Sequence, residues 1–416
     1  MLKFFYNNVL IVIFTFLIIA LFSLVNLNLD FLNPLSNMFK DFDLSDLVFS
    51  QIQEDPKEDP NVVLVNLSEP PIVDRAELAQ ILTTINKFQP ASVGIDGFYS
   101  KLRAPEDSSQ KINAGDSLLA LAMKATKKLV LVSGLNGYND KKAQYDTLKI
   151  SHPFFSEGAI LGFANLTTTG VGNMEEFLTS RSFIPTAKCK GKTEVAFGVK
   201  LAETINPEKA KAFLARANQS EFINFKGNIG FTESSKPTYV ALDFDQILNE
   251  QFEPSVIKNK IILIGFMGKK LGTKSFDDKF YTPLNKNYVG KSTPDMYGVV
   301  IHANIVSMVL SGKYINEMNN WLNLVVVFFV ALFSVSLFSY FFRNLGYWYD
   351  AVTIGIQFLI SLLLFTATVF AFAWYRLKID FTLAVIAVVI SGIVVEIYYG
   401  LIYKIIQKKF VRKRPN

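Results

Sequence analysis

Four long apolar segments constrain the fold of this chain more strongly than any other feature. They cover residues 9–25, 321–342, 351–373 and 381–403, and each has about the length that an α-helix needs to cross a hydrocarbon core. Between the first and the second segment the composition is that of a globular protein. We therefore predict a membrane protein with four transmembrane helices and one large domain between the first two.

The predicted domain boundaries follow from these segments. Residues 1–27 form an N-terminal anchor, 28–318 the large domain, 319–403 a group of three transmembrane helices, and 404–416 a basic tail. A cleaved signal peptide is the alternative for the first segment. Its exit carries no small-residue cleavage site, which favours an anchor.

The distribution of charge predicts the orientation in the membrane. Residues 404–416 contain six Lys or Arg side chains and no acid, and removing those six from the 42 basic residues leaves 36, equal to the number of acidic residues. Positive charge beside a span stays in the cytoplasm, so we expect the C-terminus inside. Four crossings then place the N-terminus inside and the large domain outside, although Arg376 and Lys378 fall on the outer side against this bias.

Strand and helix patterns alternate along the first part of the large domain. Short β-branched runs at 61–67, 91–98 and 129–135 are typical of buried strands, and helical apolar stripes at 74–88 and 115–128 lie between them. This order predicts an α/β fold, with a mostly parallel mixed sheet and covering helices.

The second part of the domain is less regular. We predict four strands, of which the first two are expected to form an antiparallel pair: 159–166, 182–188, 221–227 and 260–266. We predict three helices, of which the last is expected to be amphipathic and closed by Gly312: 194–205, 240–249 and 298–315.

The stretch "IILIGFMGKKLGTKSFDDKFYTPL" at residues 261–284 raises the question of a phosphate-binding loop. Such a loop needs Ser or Thr directly after its lysine, and none follows Lys269 or Lys270. Asp277 and Asp278 match an acid–base pair, but adjacent carboxylates are also typical of a solvated turn. We expect neither a nucleotide site nor catalysis from this loop.

Cysteine and histidine are too scarce for a metal centre. Cys189 is the single cysteine of the sequence, so no intramolecular disulfide is available. His152 and His302 are separated by 150 positions, which makes a zinc site improbable. With no nucleophile motif either, we expect no metal, no cofactor and no enzymatic activity.

The end of the domain carries a specific motif. Lys260 precedes a buried strand that ends at Gly265, and Asp278 precedes Thr282-Pro283-Leu284. A helix then begins with the pattern Gly-Val-x-x-His-Ala-Asn, at Gly298-Val299 and His302-Ala303-Asn304. This resembles the end of the second type of CHASE domain, an extracytoplasmic sensory domain of bacterial receptors. The resemblance covers about residues 62–315. It includes the strand with Asp96, Arg75 at the start of the first helix and the segment 181–203, and the three closing spans match the family layout.

One edge of the predicted sheet is the expected ligand site. The strand ends at Asn66, Asp96 and Gly265 share the carboxyl edge, where open α/β sheets bind ligands. Together with the resemblance, this predicts a ligand site composed of Arg75, Asp96, Asp278, Thr282 and His302. The alternative is that the aspartates cap helices or turns and that the histidine is packed in the core. Where the family often has aspartates, this chain has Asn66-Leu67-Ser68.

The resemblance implies a sensory role in signal transduction at a bacterial inner membrane, with the large domain in the periplasm. Members of the family usually carry a cytoplasmic kinase or cyclase, whereas little sequence follows the fourth span here. We therefore expect a sensor that binds a small molecule or protein outside, acts through a separate partner and does not bind nucleic acid; a homodimer stays open. The alternatives are an envelope enzyme that uses Asp96 and Asp278, or a structural subunit of a membrane complex.

The fourth apolar segment carries a polar stripe. Gly392, Glu396 and Gly400 repeat every four residues and therefore share one helix face. Glu396 is the only ionisable residue in the middle of a span, which argues against a transporter. Because glycines allow a second helix to approach closely, we predict a contact with a partner helix; in the alternative, the glutamate only snorkels to the surface.

Overall fold

The computed structural model describes residues 2–24, 43–53, 57–68, 74–105, 112–166, 179–230, 237–273, 275, 277–285 and 293–404. The chain divides into two compact units. One is the domain Phe49–Ile315, and the other, the membrane unit, combines Met1–Val48 with Asn316–Asn416. The compact domain lies inside the predicted range 28–318.

The first helix and the last three are long and apolar, and the helices between them are shorter. They are α1 Leu2–Ser23, α2 Leu44–Leu47, α3 Arg75–Lys87, α4 Ala114–Ala125, α5 Pro153–Ser156, α6 Phe197–Ile205, α7 Pro207–Leu214, α8 Phe244–Leu248, α9 Gly298–Ser311, α10 Asn320–Asn344, α11 Tyr349–Tyr375 and α12 Thr382–Ile397. A π-helical turn, Tyr398–Ile402, continues α12.

The strands fall mainly in the domain. They are β1 Val62–Asn66, β2 Ser92–Ile95, β3 Leu129–Asn139, β4 Gln144–Lys149, β5 Ile160–Phe163, β6 Ser182–Phe183, β7 Thr186–Cys189, β8 Lys192–Val195, β9 Glu221–Phe222, β10 Val240–Asp243, β11 Ile261–Gly265, β12 Lys279–Phe280, β13 Met296–Tyr297, β14 Asn316–Glu317 and β15 Leu377–Lys378.

A nine-stranded mixed sheet forms the centre of the domain. Its order is β10-β1-β11-β2-β3-β4-β7-β8, and β5 pairs with β3 beside this path. All pairs among β10, β1, β11, β2, β3 and β5 are parallel, whereas β4 runs antiparallel to β3 and β8 antiparallel to β7. The predicted fold class, a mostly parallel mixed sheet with covering helices, is confirmed.

Helices cover both faces of this sheet. On one face, apolar strand residues such as Val65 and Ile264 are buried in a common core with residues of α3, α4 and α8. On the opposite face, Gly94 and Gly265 approach the side chains of Leu201 in α6 and Val299 in α9. Because side chains alternate along a strand, the glycines and the branched residues face opposite layers.

The helix α9 differs from its predicted character. It was expected to be amphipathic, but every residue from Gly298 to Leu310 is buried. The helix packs on the strands β1 and β11 and on the helices α6 and α7, so it has little contact with solvent. Its predicted end is correct, because Gly312 follows with a left-handed backbone (φ 68°).

The predictions for three segments were wrong because their strands pair with other partners than expected. The segments 159–166 and 182–188 do not form an antiparallel pair, because β5 joins β3 in parallel and Pro185 separates β6 from β7. The predicted helix 240–249 begins as the strand β10, which adds to β1, and only then continues as α8. The predicted strand 221–227 is reduced to β9, which pairs with β6.

Four apolar helical segments in the membrane unit are long enough to cross a bilayer. They are Phe4–Phe22, Asn320–Asn344, Gly346–Tyr375 and Thr382–Ile402, in agreement with the four predicted spans. Small and branched residues form their common core, including Ile11, Ala331, Ala384 and Val388. Residues 25–27 of the predicted anchor, 28–42 and 54–56 of the predicted large domain, and 405–416 of the predicted basic tail lie outside the described residues.

Three chain segments of the membrane unit meet in a small arrangement that we call the collar: Asp43, residues 316–318 and residues 376–378. The strands β14 and β15 pair in parallel, Asn316 N donates to the Arg376 carbonyl (2.8 Å), and Met318 N donates to the Lys378 carbonyl (2.9 Å). Lys378 Nζ also forms an ion pair with Asp43 (2.5 Å). The collar therefore joins the segments that precede and follow the domain in the sequence to the loop between α11 and α12.

Candidate functional site

The carboxyl ends of four parallel strands form one polar edge of the sheet. Asn66 is in register with Asp243 on one side and with Gly265 on the other, and Asp96 directly follows Ile95, which pairs with Ile264. This is the edge at which the sequence predicted a ligand site.

Asn66 serves the structure of this edge. Its Nδ2 donates to Asp243 Oδ1 (2.8 Å) and to the Gly268 carbonyl (3.0 Å), and its Oδ1 accepts from Met267 N (2.8 Å). The side chain is fully buried. An asparagine fits here because it both donates and accepts, whereas an ionised aspartate cannot donate and would oppose Asp243.

The segment 266–273 is a hydrogen-bonded turn built on the same strand ends. Leu271 N donates to both carboxylate oxygens of Asp243 (3.1 and 3.2 Å), and Ser68 Oγ donates to the Lys269 carbonyl. Lys270 forms an exposed ion pair with Asp245 (3.0 Å). The turn is therefore held by hydrogen bonds to neighbouring strand ends, and the Lys270 side chain is already paired with Asp245.

Asp96 and Asp278, which we call the acid pair, converge at the start of α9. A Cβ atom built on Gly265 would lie 3.3 Å from Asp96 Cβ and 2.8 Å from Val299 Cγ2. A Cβ atom built on Gly298 would lie 3.4 and 3.5 Å from the two Asp278 oxygens. Gly298 N also donates to the Asp278 carbonyl (3.1 Å), so the two aspartates reach the helix N-terminus from different segments.

The surroundings of the acid pair favour its protonated form. Burial raises the pKa of Asp96 to about 6, and burial followed by the negative charge of Asp96 raises the pKa of Asp278 to about 7. Asp278 as a residue is exposed, but its carboxylate packs inward against Gly298. Within the described part of the chain, no hydrogen bond or ion pair reaches either carboxylate. The helix N-terminus provides partial compensation for their charge.

The other predicted site residues are engaged elsewhere. Arg75 forms an ion pair with the buried Asp116 and donates from Nη2 to the Lys101 carbonyl (2.6 Å). Thr282 donates from its backbone N and its Oγ1 to the Asp295 carboxylate (2.8 and 2.5 Å). Both side chains therefore hold loops in place in this structure.

His302 lies in the core. It is 3% exposed, and its ring packs edge-on against Phe197 with the ring centres 5.3 Å apart. Burial lowers its pKa to about 4, which keeps the imidazole neutral near pH 7. Its Nδ1 accepts no hydrogen bond from the described residues.

The described residues offer no ready-made metal centre. They contain no group of three or more His, Cys, Asp or Glu side chains that could hold an ion. The acid pair alone supplies two carboxyl groups, fewer ligands than a structural metal site takes from protein.

Comparison with known proteins identifies the family. A family model described as "CHASE2 domain" matches residues 12–338, which is more than half of the chain. The chain belongs to the CHASE2 family. No curated protein and no solved structure matches it. CHASE2 domains are extracytoplasmic sensory domains, so the large domain is an extracytoplasmic sensory domain carried by four apolar helices.

The terminal motif of this CHASE2 domain contributes mainly to packing. Asn304 Oδ1 accepts from Lys226 N (2.8 Å) and Gly227 N (3.2 Å), and its Nδ2 donates to the Gly227 carbonyl (2.9 Å). Lys260 Nζ donates to the Pro60 carbonyl. Among the polar side chains of the motif, neither the Asp278 carboxylate nor His302 Nδ1 has a hydrogen-bond partner in the described residues.

A buried network in the CHASE2 domain was missed by sequence reasoning. Asp59 accepts from Lys226 Nζ (2.7 Å) and Ser307 Oγ (2.8 Å), and the Tyr239 hydroxyl donates to Ser307 Oγ (3.1 Å). The signal that could have identified Asp59 is its place three residues before Val62, the first residue of a fully buried strand.

The predicted partner-helix residues of α12 have different environments. A Cβ atom built on Gly392 would lie 3.0 Å from Thr353 Cγ2, and the Tyr349 hydroxyl donates to the Gly392 carbonyl (2.8 Å), so this glycine contacts α11. Glu396 is exposed, and a Cβ atom built on Gly400 would meet no described atom within 4 Å. Gly392, at one end of the stripe, therefore packs within the membrane unit, whereas a side chain at position 400, at the other end, would contact none of the described residues.

Proposed function

We propose that this chain is a membrane sensor whose acid pair binds a positively charged ligand outside the cytoplasm. The observation that carries the proposal is the convergence of Asp96 and Asp278 without a counter-charge among the described residues. Two like charges at one site disfavour each other's ionised form, and a cationic ligand would relieve that repulsion. The carboxyl edge of an open α/β sheet is also the common position of ligands in such folds.

The position of α9 supports a sensory role for this site. Its first residue, Gly298, lies against Asp278, and its last, Ser311, is separated from the membrane helix α10 by residues 312–319 alone. Ligand binding at the acid pair therefore acts at one end of a helix whose other end continues, after a short connection, into the bilayer.

Binding is preferred over catalysis for this site. A nucleophile would need a base within hydrogen-bonding reach, and no Ser, Thr, Cys or Lys of the described chain hydrogen-bonds to Asp96 or Asp278. An envelope enzyme remains the competing proposal, since two carboxyl groups with pKa values raised toward 7 are suited to proton transfer.

We further propose a bacterial inner-membrane location with both termini in the cytoplasm, and a separate partner that receives the signal. The basic tail supports the orientation through the positive-inside rule. The exposed Glu396 and the open space at Gly400 support a partner helix, because a carboxylate within a span is rarely left facing lipid. The contact is proposed as a protein helix, either of a second copy or of a signalling partner.

The test uses the full-length protein in detergent at pH 7.5 with spermidine, CaCl2 and ionic-strength-matched NaCl as probes. Thermal unfolding is followed for the wild type, Asp96→Asn, Asp278→Asn and the control Asp146→Asn, an exposed carboxylate on β4. We expect one of the two cations to raise Tm above the NaCl value in the wild type and the control. Both acid-pair variants should lose that rise.

An equal response of all four proteins would mean that the cations only screen surface charge, and the proposed site would be abandoned. Steady turnover of an ester or glycoside substrate that is lost in Asp96→Asn would instead favour the enzyme.

A further inference from the structure

The membrane unit contains a groove between α11 and α12 that is separate from the acid pair. Its volume is about 500 Å³, within the range of ligand-binding cavities. Aromatic and branched side chains line most of it: Phe365, Phe372, Phe381, Val385 and Ile386. Thr368 also lines the groove, and its hydroxyl is already bonded to the Leu364 carbonyl (3.0 Å), so the wall is apolar.

One end of the groove is polar and includes two residues of the collar. Asp43, Lys378 and Asp380 lie there. Lys378 pairs with Asp43, which also accepts from Ser45 N (2.9 Å), and Asp380 Oδ1 accepts from Thr382 N (2.9 Å). Burial acts to raise the pKa of Asp43, but the Lys378 ammonium and the Ser45 bonds hold it below its ordinary value. The rim therefore carries the Lys378–Asp43 ion pair and one further acidic side chain, Asp380.

The groove has the depth of one leaflet. Phe365 lies ten residues before Tyr375, the last residue of α11, which corresponds to about 15 Å along the helix axis. The hydrocarbon core of a bilayer is about 30 Å thick. The exposed Trp374 and Tyr375 at the end of α11 are residues typical of the membrane–water interface and set the level of the polar rim.

The order of the helices identifies the leaflet. The helix α10 begins on the side from which the chain leaves the sensory domain, α10 and α11 each cross once, and the loop 376–381 is therefore back on that side. Since a CHASE2 domain is extracytoplasmic, the groove opens to the outer leaflet.

We propose that this groove binds a phospholipid of the outer leaflet with a zwitterionic, primary-amine headgroup, such as phosphatidylethanolamine. One acyl chain lies along the apolar wall. The phosphate lies toward Lys378, and the ammonium donates hydrogen bonds to the carboxylates of Asp43 and Asp380. A lipid with net negative charge is disfavoured by the two acids, and a choline headgroup has no N–H to donate to them.

The test measures lipid retention by the full-length protein. The protein is delipidated in detergent, mixed with equal amounts of phosphatidylethanolamine, phosphatidylcholine and phosphatidylglycerol, and analysed by native mass spectrometry. We expect phosphatidylethanolamine to be retained at least fivefold over each of the others. Val385→Trp, which fills the groove, should lower its retention at least fivefold, whereas Val389→Trp, one turn along α12 on an exposed face, should not.

A second variant keeps the test informative if Val385→Trp does not fold. Asp43→Asn combined with Lys378→Gln removes both charges of the rim pair and leaves a polar side chain at each position, so the fold should be retained. This variant should lower the preference for phosphatidylethanolamine to below twofold. Equal retention of all three lipids by the wild type, or no effect of Val385→Trp in a folded protein, would leave only non-specific surrounding lipid and overturn the proposal. A preference for phosphatidylglycerol would overturn it as well.

Discussion

The Asp278 carboxylate packs directly on Gly298, the first residue of α9, with its oxygens 3.4 and 3.5 Å from the place that a Cβ atom would occupy. A helix N-terminus is favourable for negative charge because its first N–H groups lack helical partners. Asp96 lies at the same helix end. The favourable helix N-terminus and the unfavourable negative charge of Asp96 therefore both act on the Asp278 carboxylate.

The acid pair should make the stability of the protein depend on pH in a defined direction. Because its pKa values are raised toward 6 and 7, the folded state holds more protons than the unfolded state between about pH 4 and pH 7. The free energy of unfolding therefore falls as pH rises through this window. Because Asp278 is exposed and solvent screens its charge, we count only the shift of Asp96: relative to the wild type, the double variant Asp96→Asn/Asp278→Asn should gain about 1 kcal/mol between pH 5 and pH 8, since one pKa unit corresponds to about 1.4 kcal/mol.

The measurement is urea unfolding of both proteins in detergent at pH 5 and pH 8. His302 and Asp295 also have shifted pKa values, but they titrate in both proteins and cancel in the difference. A difference that does not change with pH would show that the two carboxyl groups titrate normally.

Gly265→Ala should destabilise the domain through Val299. The new methyl group would lie 2.8 Å from Val299 Cγ2, closer than van der Waals contact allows. We expect a loss of about 1–3 kcal/mol, the usual cost of overpacking a core. The double variant with Val299→Ala should be more stable than the sum of the two single losses predicts, as measured in a double-mutant cycle. Strict additivity would mean that the backbone shifts instead.

Asn66→Ala should be among the most damaging single changes in the domain. It removes three hydrogen bonds and leaves the buried Met267 N–H and an oxygen of Asp243 without this partner. Each unsatisfied buried group costs about 1–3 kcal/mol, so a loss of about 3 kcal/mol or more is expected in urea unfolding. Asn136→Ala, at an exposed position on β3, serves as the control and should change stability by less than about 0.5 kcal/mol. Similar losses for the two variants would contradict the structural role of Asn66.

The proposed orientation is tested by alkaline phosphatase fusions in a bacterial host. Phosphatase fused after Lys313 should be active, because this position follows the extracytoplasmic domain. Fusion after Lys409, within the basic tail, should be inactive. The reverse pair of activities would refute the N-in, C-in arrangement.

The open end of the α12 stripe is tested by crosslinking. In a Cys189→Ala background, Gly400→Cys should form a crosslink to one specific protein in native membranes, and Glu396→Leu should weaken it severalfold. Cys189 is buried, so its removal affects no surface contact. Position 355 of α11, where a Cβ atom also meets nothing within 4 Å, provides a matched control, and Gly355→Cys should trap no specific neighbour. Identical crosslinking patterns from positions 355 and 400 would contradict the partner helix and leave the alternative, in which Glu396 only snorkels to the membrane surface.

The central strands and the place of the acid pair were predictable because their signals are local. The run at Ile261–Gly265 is uniformly branched and bounded by glycine, and Asp96 directly follows a similar run. Parallel strands align their carboxyl ends, so the meeting of Asp96 with the segment after β11 followed from topology. The environment of Arg75 did not, because its partner Asp116 lies 41 residues away and carries no sequence mark of burial.

Other features depend on contacts that are distant in sequence. Val240–Asp243 has helical spacing, yet pairing with β1, at Asn66↔Asp243, turns it into an edge strand. The ion pair of Asp59 with Lys226 joins residues 167 positions apart. In both cases tertiary pairing overrides a local preference, which pattern analysis of one sequence does not capture.

The collar connects the two ends of the chain segment that contains the sensory domain. The chain enters the sensory domain at Phe49, shortly after Asp43, and returns at Asn316, and both Asp43 and Asn316 are bound to the same short loop at residues 376–378. If these two connecting segments were not bound to the loop, the domain could change shape without an effect on the membrane helices. Because both ends are bound to residues 376–378, we expect a change in the distance between Asp43 and Asn316 to act on the loop that joins α11 and α12.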